Sequence, residues 1–190
     1  MAQTYPTHPS EQTRSDELPS LQKFLSVEQY LNTTYRPDVD YVDGEIEERN
    51  LGEFDHADLQ SEMITMLRNR QQEWSIRVVG ENRVRVSPTR IRIPDVCVLD
   101  AARPRERIIT HPPLLCVEVL SPRDSLKAMR KRVQDFFDMG VRDVWIFDPE
   151  TRTAHACTAT TMTEYKTGTL RVKGTSIEVS VEDIFATLDR

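Results

Sequence analysis

Apolar residues in this chain gather into short runs separated by charged and turn-forming residues, and the spacing within each run predicts its element. The segment SVEQYLNTTY predicts a short helix capped by Ser26 and ended before Pro37. YVDGEIEE predicts a hairpin, because Asp43-Gly44 suits a tight two-residue turn. From Asp55 to Trp74, Leu59, Met63, Met66, Leu67 and Trp74 recur at helical spacing behind an expected Asp55 cap. SIRVVGE, RVRVS and IRIPDVCVLD alternate with β-branched residues and predict three strands in a meander. LLCVEVLS is almost continuously apolar, as expected of a central strand covered on both faces.

A second helix is predicted from Pro122 to Met139, with Leu126, Met129, Val133, Phe136 and Phe137 on one side and Gly140 as its left-handed stop. VRDVWIFDP follows as another buried strand, in which Trp145 and Phe147 read as core. Thr153 to Arg190 adds a polar hairpin, a strand around SIEVS and a short helix at VEDIFATL. This order predicts an α/β (α+β) fold: a mixed sheet flanked by helices, with an N-terminal helix and hairpin and a C-terminal hairpin addition.

Composition adds limits. Residues 1 to 20 combine Pro, Ser, Thr, Gln and charges with almost no apolar spacing, which predicts a flexible tail before one domain over 21–190. No apolar stretch approaches the roughly 18 residues of a membrane span, and the N-terminus lacks a secretory segment, so a cytoplasmic protein is expected. Cys97, Cys116 and Cys157 lack CxxC spacing, and core packing is expected for them. The net charge of -6 argues against coating nucleic acid by bulk electrostatics. Ten arginines against five acids between Arg68 and Arg107 nonetheless make that stretch locally +5.

Two acids interrupt apolar strands, Asp95 in IRIPDVCVL and Glu118 in LLCVEVL. A buried ionised carboxylate costs several kcal/mol or more unless it has a cationic partner, a raised pKa or a metal ion. Period two puts Asp95 on one face with Ile93 and Cys97, and Glu118 on one face with Cys116 and Leu120. Paired strands would bring the two carboxylates together, and Mg²⁺ suits such oxygen donors. The plainer alternative is an ion pair, for example of Asp95 with Arg83 or Arg85.

Pro94-Asp95, then Glu118-Val119-Leu120, then a helix with basic residues resembles the signature of PD-(D/E)xK nucleases. The longer string VDGE, a helix with an early histidine, IPDV, VEVLSP and GVRDVWIFDP resembles a bacterial restriction-endonuclease family of the Uma type, over about Leu21 to Leu188. The resemblance implies a restriction-endonuclease-like fold and Mg²⁺- or Mn²⁺-dependent hydrolysis of DNA phosphodiesters, with DNA as partner and a homodimer as one way to cut both strands. Asp95 and Glu118 would be metal ligands, with the Val119 carbonyl and Glu45 completing the shell. Leu120 stands where the superfamily has lysine, and the family resemblance moves that basic role to Arg132, four residues before Phe136. Taking about 100° per residue, Arg132 lies about 40° from Phe136, at the margin of the sheet-facing stripe. Arg130 flanks the other margin as a competitor, Lys131 points largely away, and His56, Arg130 and Lys131 are candidates for substrate contact. Glu81 is a weaker candidate, and His8, His111 and His155 take no role. The rival reading is a nuclease-fold module that grips nucleic acid or a protein without turnover.

Overall fold

A computed structural model describes residues 24–50 and 52–190, so the expected tail over 1–20 and His8 lie outside the described residues. The chain opens with α1 (Val27–Leu31), whose Ser26 cap accepts from Gln29 N while the Gln29 side chain accepts from Ser26 N. β1 (Val39–Val42) and β2 (Glu45–Glu48) form the expected hairpin, with Asp43 at φ 51 and Gly44 at φ 98 in its turn.

α2 (Phe54–Asn69) is shorter than the apolar spacing suggests. It starts one residue before Asp55, with Glu53 at the N-cap position and no side-chain cap, and Trp74 falls in the turns beyond it. The expected meander is also replaced by another arrangement. IRIPDVCVLD breaks at Ile93–Asp95 into β5 (Arg90–Arg92) and β6 (Val96–Asp100), which lie in different sheets. Proline lacks the N–H that would continue a ladder, and the chain changes sheet there. β6 pairs with β3 (Ile76–Gly80), whereas β5 pairs with β4 (Val84–Ser87) and β1.

The larger sheet has six strands. Their order is β10-β9-β8-β7-β6-β3, with β7 (Leu115–Val119), β8 (Asp143–Asp148), β9 (Thr153–Cys157) and β10 (Met162–Tyr165). β7 and β8 are parallel, joined through α3 (Leu126–Met139), as the crossover argument requires. The polar hairpin extends this sheet, and its inner strand β9 is largely buried. β11 (Thr169–Arg171) and β12 (Glu178–Ser180) form a separate hairpin leading into α4 (Val181–Phe185). The smaller main sheet is ordered β2-β1-β5-β4.

Each face of the six-stranded sheet has its own core. Val96, Val98, Leu115, Val117, Val119, Trp145 and Phe147 pack with Leu59, Met63 and Leu67 of α2 and with α4. The opposite face packs Cys97, Cys116, Leu120, Val144 and Ile146 with Met129, Val133 and Phe136 of α3. All three cysteines are free and buried, as expected. Among the described residues no helix is long and apolar enough to cross a membrane.

α3 begins at Leu126 rather than at Pro122, because the Ser125 hydroxyl accepts from Ala128 N and sets the start. It stops at Gly140, φ 105, where an added Cβ would lie 3.3 Å from Pro112 Cγ. A left-handed conformation costs a residue with a Cβ about 1–2 kcal/mol. Gly140→Ala should therefore lower unfolding stability by about that amount in urea titration, and an unchanged midpoint would show that the cap is unstrained.

Candidate active site

The site forms where β7 extends past the start of β6. The ladder between them runs from Val98↔Leu115 to Val96↔Val117, so β7 continues past its neighbour. The Asp95 carboxylate fills the gap by accepting the Val119 N–H on Oδ2 at 2.7 Å. Asp95 is thus at the break between sheets rather than inside a strand, and its place comes from that bond instead of an alternation with Ile93 and Cys97. Glu118 does alternate as expected and faces the α3 side.

Neither Arg83 nor Arg85 reaches Asp95. Arg83 donates to the carbonyls of Leu31 and Thr33, and Arg85 to that of Pro88. The partner of Asp95 is Arg49, from the segment after β2, with Nη2 at 2.5 Å from Oδ1. Alternation along the strands carries no sign of this pair, which joins residues 46 positions apart.

Arg132 turns inward from α3. Its Nη2 lies 3.4 Å from Glu118 Oε1 and 3.5 Å from Asp40 Oδ2, and donates to the Ile93 carbonyl at 3.2 Å. Burial works against its charge, but Glu118, Asp40 and Asp95 hold its pKa above the ordinary arginine range. Arg130 is exposed and directed to Met162 of β10 instead, so it is not a competitor for this place. Lys131 pairs with Glu47 at 3.1 Å, on the outside of the same cluster.

Glu45, expected to complete a metal shell, is exposed at the start of β2, and Glu47 is the hairpin acid that reaches inward. Glu47 and the wholly buried Arg92 belong to a charge network that spacing along the chain does not reveal. Arg92 donates to Asp40, Glu47 and Asp135 at 2.6–3.0 Å, and Asp40 also accepts from Ile93 N. Asp40 carries a usable signal, since it interrupts the apolar run VDYV much as Glu118 interrupts its own strand.

His56 stands in the first turn of α2 with Nδ1 3.4 Å from Ser121 Oγ and Nε2 3.7 Å from Asp95 Oδ1. Gly52 makes room for the ring, for a Cβ there would lie 2.6 Å from His56 Cδ2. Glu81 is half-exposed and 3.8 Å from Arg49. His111 pairs with Glu106, and His155 is buried in β9. Two cavities meet at Glu53, Ser121 and Pro122. One, of about 430 Å³, carries five acids, namely Glu53, Asp55, Asp124, Asp148 and Glu150. The other, about 640 Å³, carries Arg36, Arg49 and Arg123.

Glu118 Oε1 is buried without a hydrogen-bond partner. Burial pushes the Glu118 carboxyl up to about 8, and the neighbouring Arg132 only partly opposes this. Arg132 lies 3.4 Å from this oxygen without forming a hydrogen bond to it. Among the described residues no three His, Cys, Asp or Glu side chains converge, so a divalent ion would have the orphaned Glu118 oxygen and the Asp95 carboxylate as its acidic donors. An ion held by so few protein oxygens would keep waters or phosphate oxygens in its remaining positions, as Mg²⁺ commonly does.

The raised Glu118 pKa has a measurable consequence. Stability from this group is full below its unfolded value near 4.5 and is lost as pH rises through about 8. In chelator, the wild type should lose stability between about pH 5 and about pH 9, and Glu118→Gln should lose less. Parallel urea midpoints for the two proteins over that range would contradict the assignment.

A mixed sheet flanked by helices, with a buried acidic pair beside the end of its central parallel strands, defines a nuclease-like fold. The family model described as "Uma2: Putative restriction endonuclease" matches residues 21–188, and the chain belongs to this family. The fold is shared with a solved structure described as a putative nuclease belonging to DUF820 from Anabaena variabilis. That likeness has a TM-score of 0.77 at 21% identity, covering 86% of this chain and 99% of the other. A weaker likeness, TM-score 0.40 at 12% identity, covers 68% of this chain and 10% of a chain in the DrdV–DNA complex. No curated protein matches the chain.

Proposed function

We propose that this chain is a metal-dependent endonuclease that hydrolyses phosphodiester bonds of DNA, with Asp95 and Glu118 as ligands of Mg²⁺ or Mn²⁺. The observation that supports the reading is the buried Glu118 oxygen without a hydrogen-bond partner, close to Asp95 at the end of β7. When bound, the ion supplies polarisation of a phosphate oxygen and a more acidic water. The other steps fall to side chains. Arg132 offsets charge growing on the phosphate oxygens; it keeps its proton at neutral pH, so it orients and stabilises without acting as a base. His56, with Nε2 3.7 Å from Asp95 Oδ1, would hold a water against that carboxylate. The Val119 carbonyl is the candidate third protein ligand. A bound ion would have to displace Arg49 from Asp95, and Arg49 borders the larger cavity, lined also by Glu48 and Glu53. Two copies of the chain would supply the two sites that cutting both strands requires.

A second reading, a module that binds without turnover, is favoured by Leu120. The side chain at the usual lysine position is buried in the apolar cluster under α3, so it brings no ammonium to Glu118 or Asp95. Calorimetric titration with Mg²⁺ and Mn²⁺, combined with plasmid nicking, separates the two. Metal binding with nicking that stops in chelator is expected; binding without nicking would establish the module, and no binding would leave the acids as ion pairs only.

A further inference from the structure

The ten arginines between Arg68 and Arg107 are divided by the fold. Arg90 and Arg92 are committed to carboxylates, and Arg70 pairs with Glu73. Arg83 and Arg107 donate to the Leu31 carbonyl at the end of α1. Arg68, Arg77 and Arg105 instead come together from α2, β3 and the loop after β6. With Gln71 and Asn82 they line a groove of about 450 Å³ beside β3, the edge strand of the six-stranded sheet. The acid that shares this lining, Glu106, is occupied by Thr110 and His111.

The partners of two of these arginines are neutral. Arg68 donates to the Val78 carbonyl at 3.3 and 3.4 Å, and Arg77 to the carbonyls of Ala101 and Arg103 at 3.3 and 3.2 Å. Such bonds aim the guanidinium groups without neutralising them. A concentrated patch of this kind on a protein of net charge -6 is a local device for a polyanion.

We propose that this groove binds the phosphate backbone of duplex DNA, at positions flanking the bond that is cut; the inference rests on the nuclease reading. β3 links the two places. Glu81, just beyond its end, donates its N–H to the Asp95 carbonyl at 3.2 Å. Arg77 lies four residues earlier, about 13 Å along a strand, which corresponds to about four nucleotides of duplex rise. A second protein strand is a poorer occupant, since the Arg68 guanidinium covers an edge carbonyl and charge on an edge disfavours strand addition.

The test is fluorescence anisotropy of a labelled duplex with the full chain in chelator, titrated with salt. Every phosphate that is no longer neutralised should reduce the slope of log affinity against log salt by about 0.9. The triple variant Arg68→Gln/Arg77→Gln/Arg105→Gln should therefore bind with a slope shallower by about 2.7, and Arg105→Gln alone with one shallower by about 0.9. Arg105 is exposed, so its variant also serves if the triple variant fails to fold. Arg152→Gln, at the Asp189 pair, should leave the slope unchanged. Wild-type slopes in the arginine variants would overturn the groove and leave the nuclease reading standing. No duplex binding by the wild type in chelator would overturn the groove, and the nicking assay decides the nuclease reading separately. Equal slopes and affinities for single strands would overturn the duplex assignment, and a dimer dissolved by the triple variant without change in DNA binding would assign the edge to a second copy.

Discussion

Asp95→Asn is expected to abolish Mg²⁺ and Mn²⁺ binding and to lower plasmid nicking by about a thousandfold or more. A metal ion contributes several kcal/mol of transition-state stabilisation, and each 1.36 kcal/mol is about tenfold in rate. The substitution changes little else. The asparagine carbonyl can still accept the Val119 N–H, so that buried donor keeps its partner. Arg49 loses its charge partner but borders a cavity where its guanidinium can be hydrated. Urea midpoints should consequently stay near the wild type while the calorimetric signal disappears. Wild-type metal affinity in this variant, or nicking within tenfold of the parent, would remove Asp95 from the mechanism.

The second large effect belongs to Arg92, the wholly buried centre of the charge network. Its guanidinium lies between Asp40 and Asp135, which are 1% and 4% exposed, and also reaches Glu47. Arg92→Ala strands two buried carboxylates without this cation, and removing one partner of a buried ion pair costs about 3–5 kcal/mol. The loss should also reach the active site, because Asp40 touches Arg132 and the network fastens the β1–β2 hairpin to α3. Lys131→Ala, removing an exposed partner of Glu47, should cost at most about 1 kcal/mol. A small effect of Arg92→Ala in urea titration would mean that hydration, rather than this guanidinium, compensates the acids.

Much of the architecture is readable because local chemistry decides it. Ser26 and Gly140 mark helix ends, the first through its hydroxyl and the second through its missing Cβ, and Asp43-Gly44 folds a turn that few other pairs tolerate. The apolar run around Glu118 places β7 at the sheet centre, and helical spacing alone turns Arg132 toward it. The expected meander fails because IRIPDVCVLD has one continuous alternation, whereas Pro94 ends one ladder and the chain after Asp95 enters an interior strand of the other sheet. Nothing within α3 marks Asp135 as the partner of Arg92, since it follows the same helical spacing as any solvated acid.

Read from residues alone, the chain declares most of its element order, the two acids that interrupt apolar runs and the basic residue on the helix above them. Periodicity, capping and turn chemistry act over a few residues, so near neighbours suffice to reveal them. Only packing brings Arg49 to Asp95, sets Asp40 and Arg92 behind Arg132, and gathers Arg68, Arg77 and Arg105 into a groove. Those pairings join segments far apart in the chain, and a charge finds its partner by where the packed layers bring it rather than by its spacing.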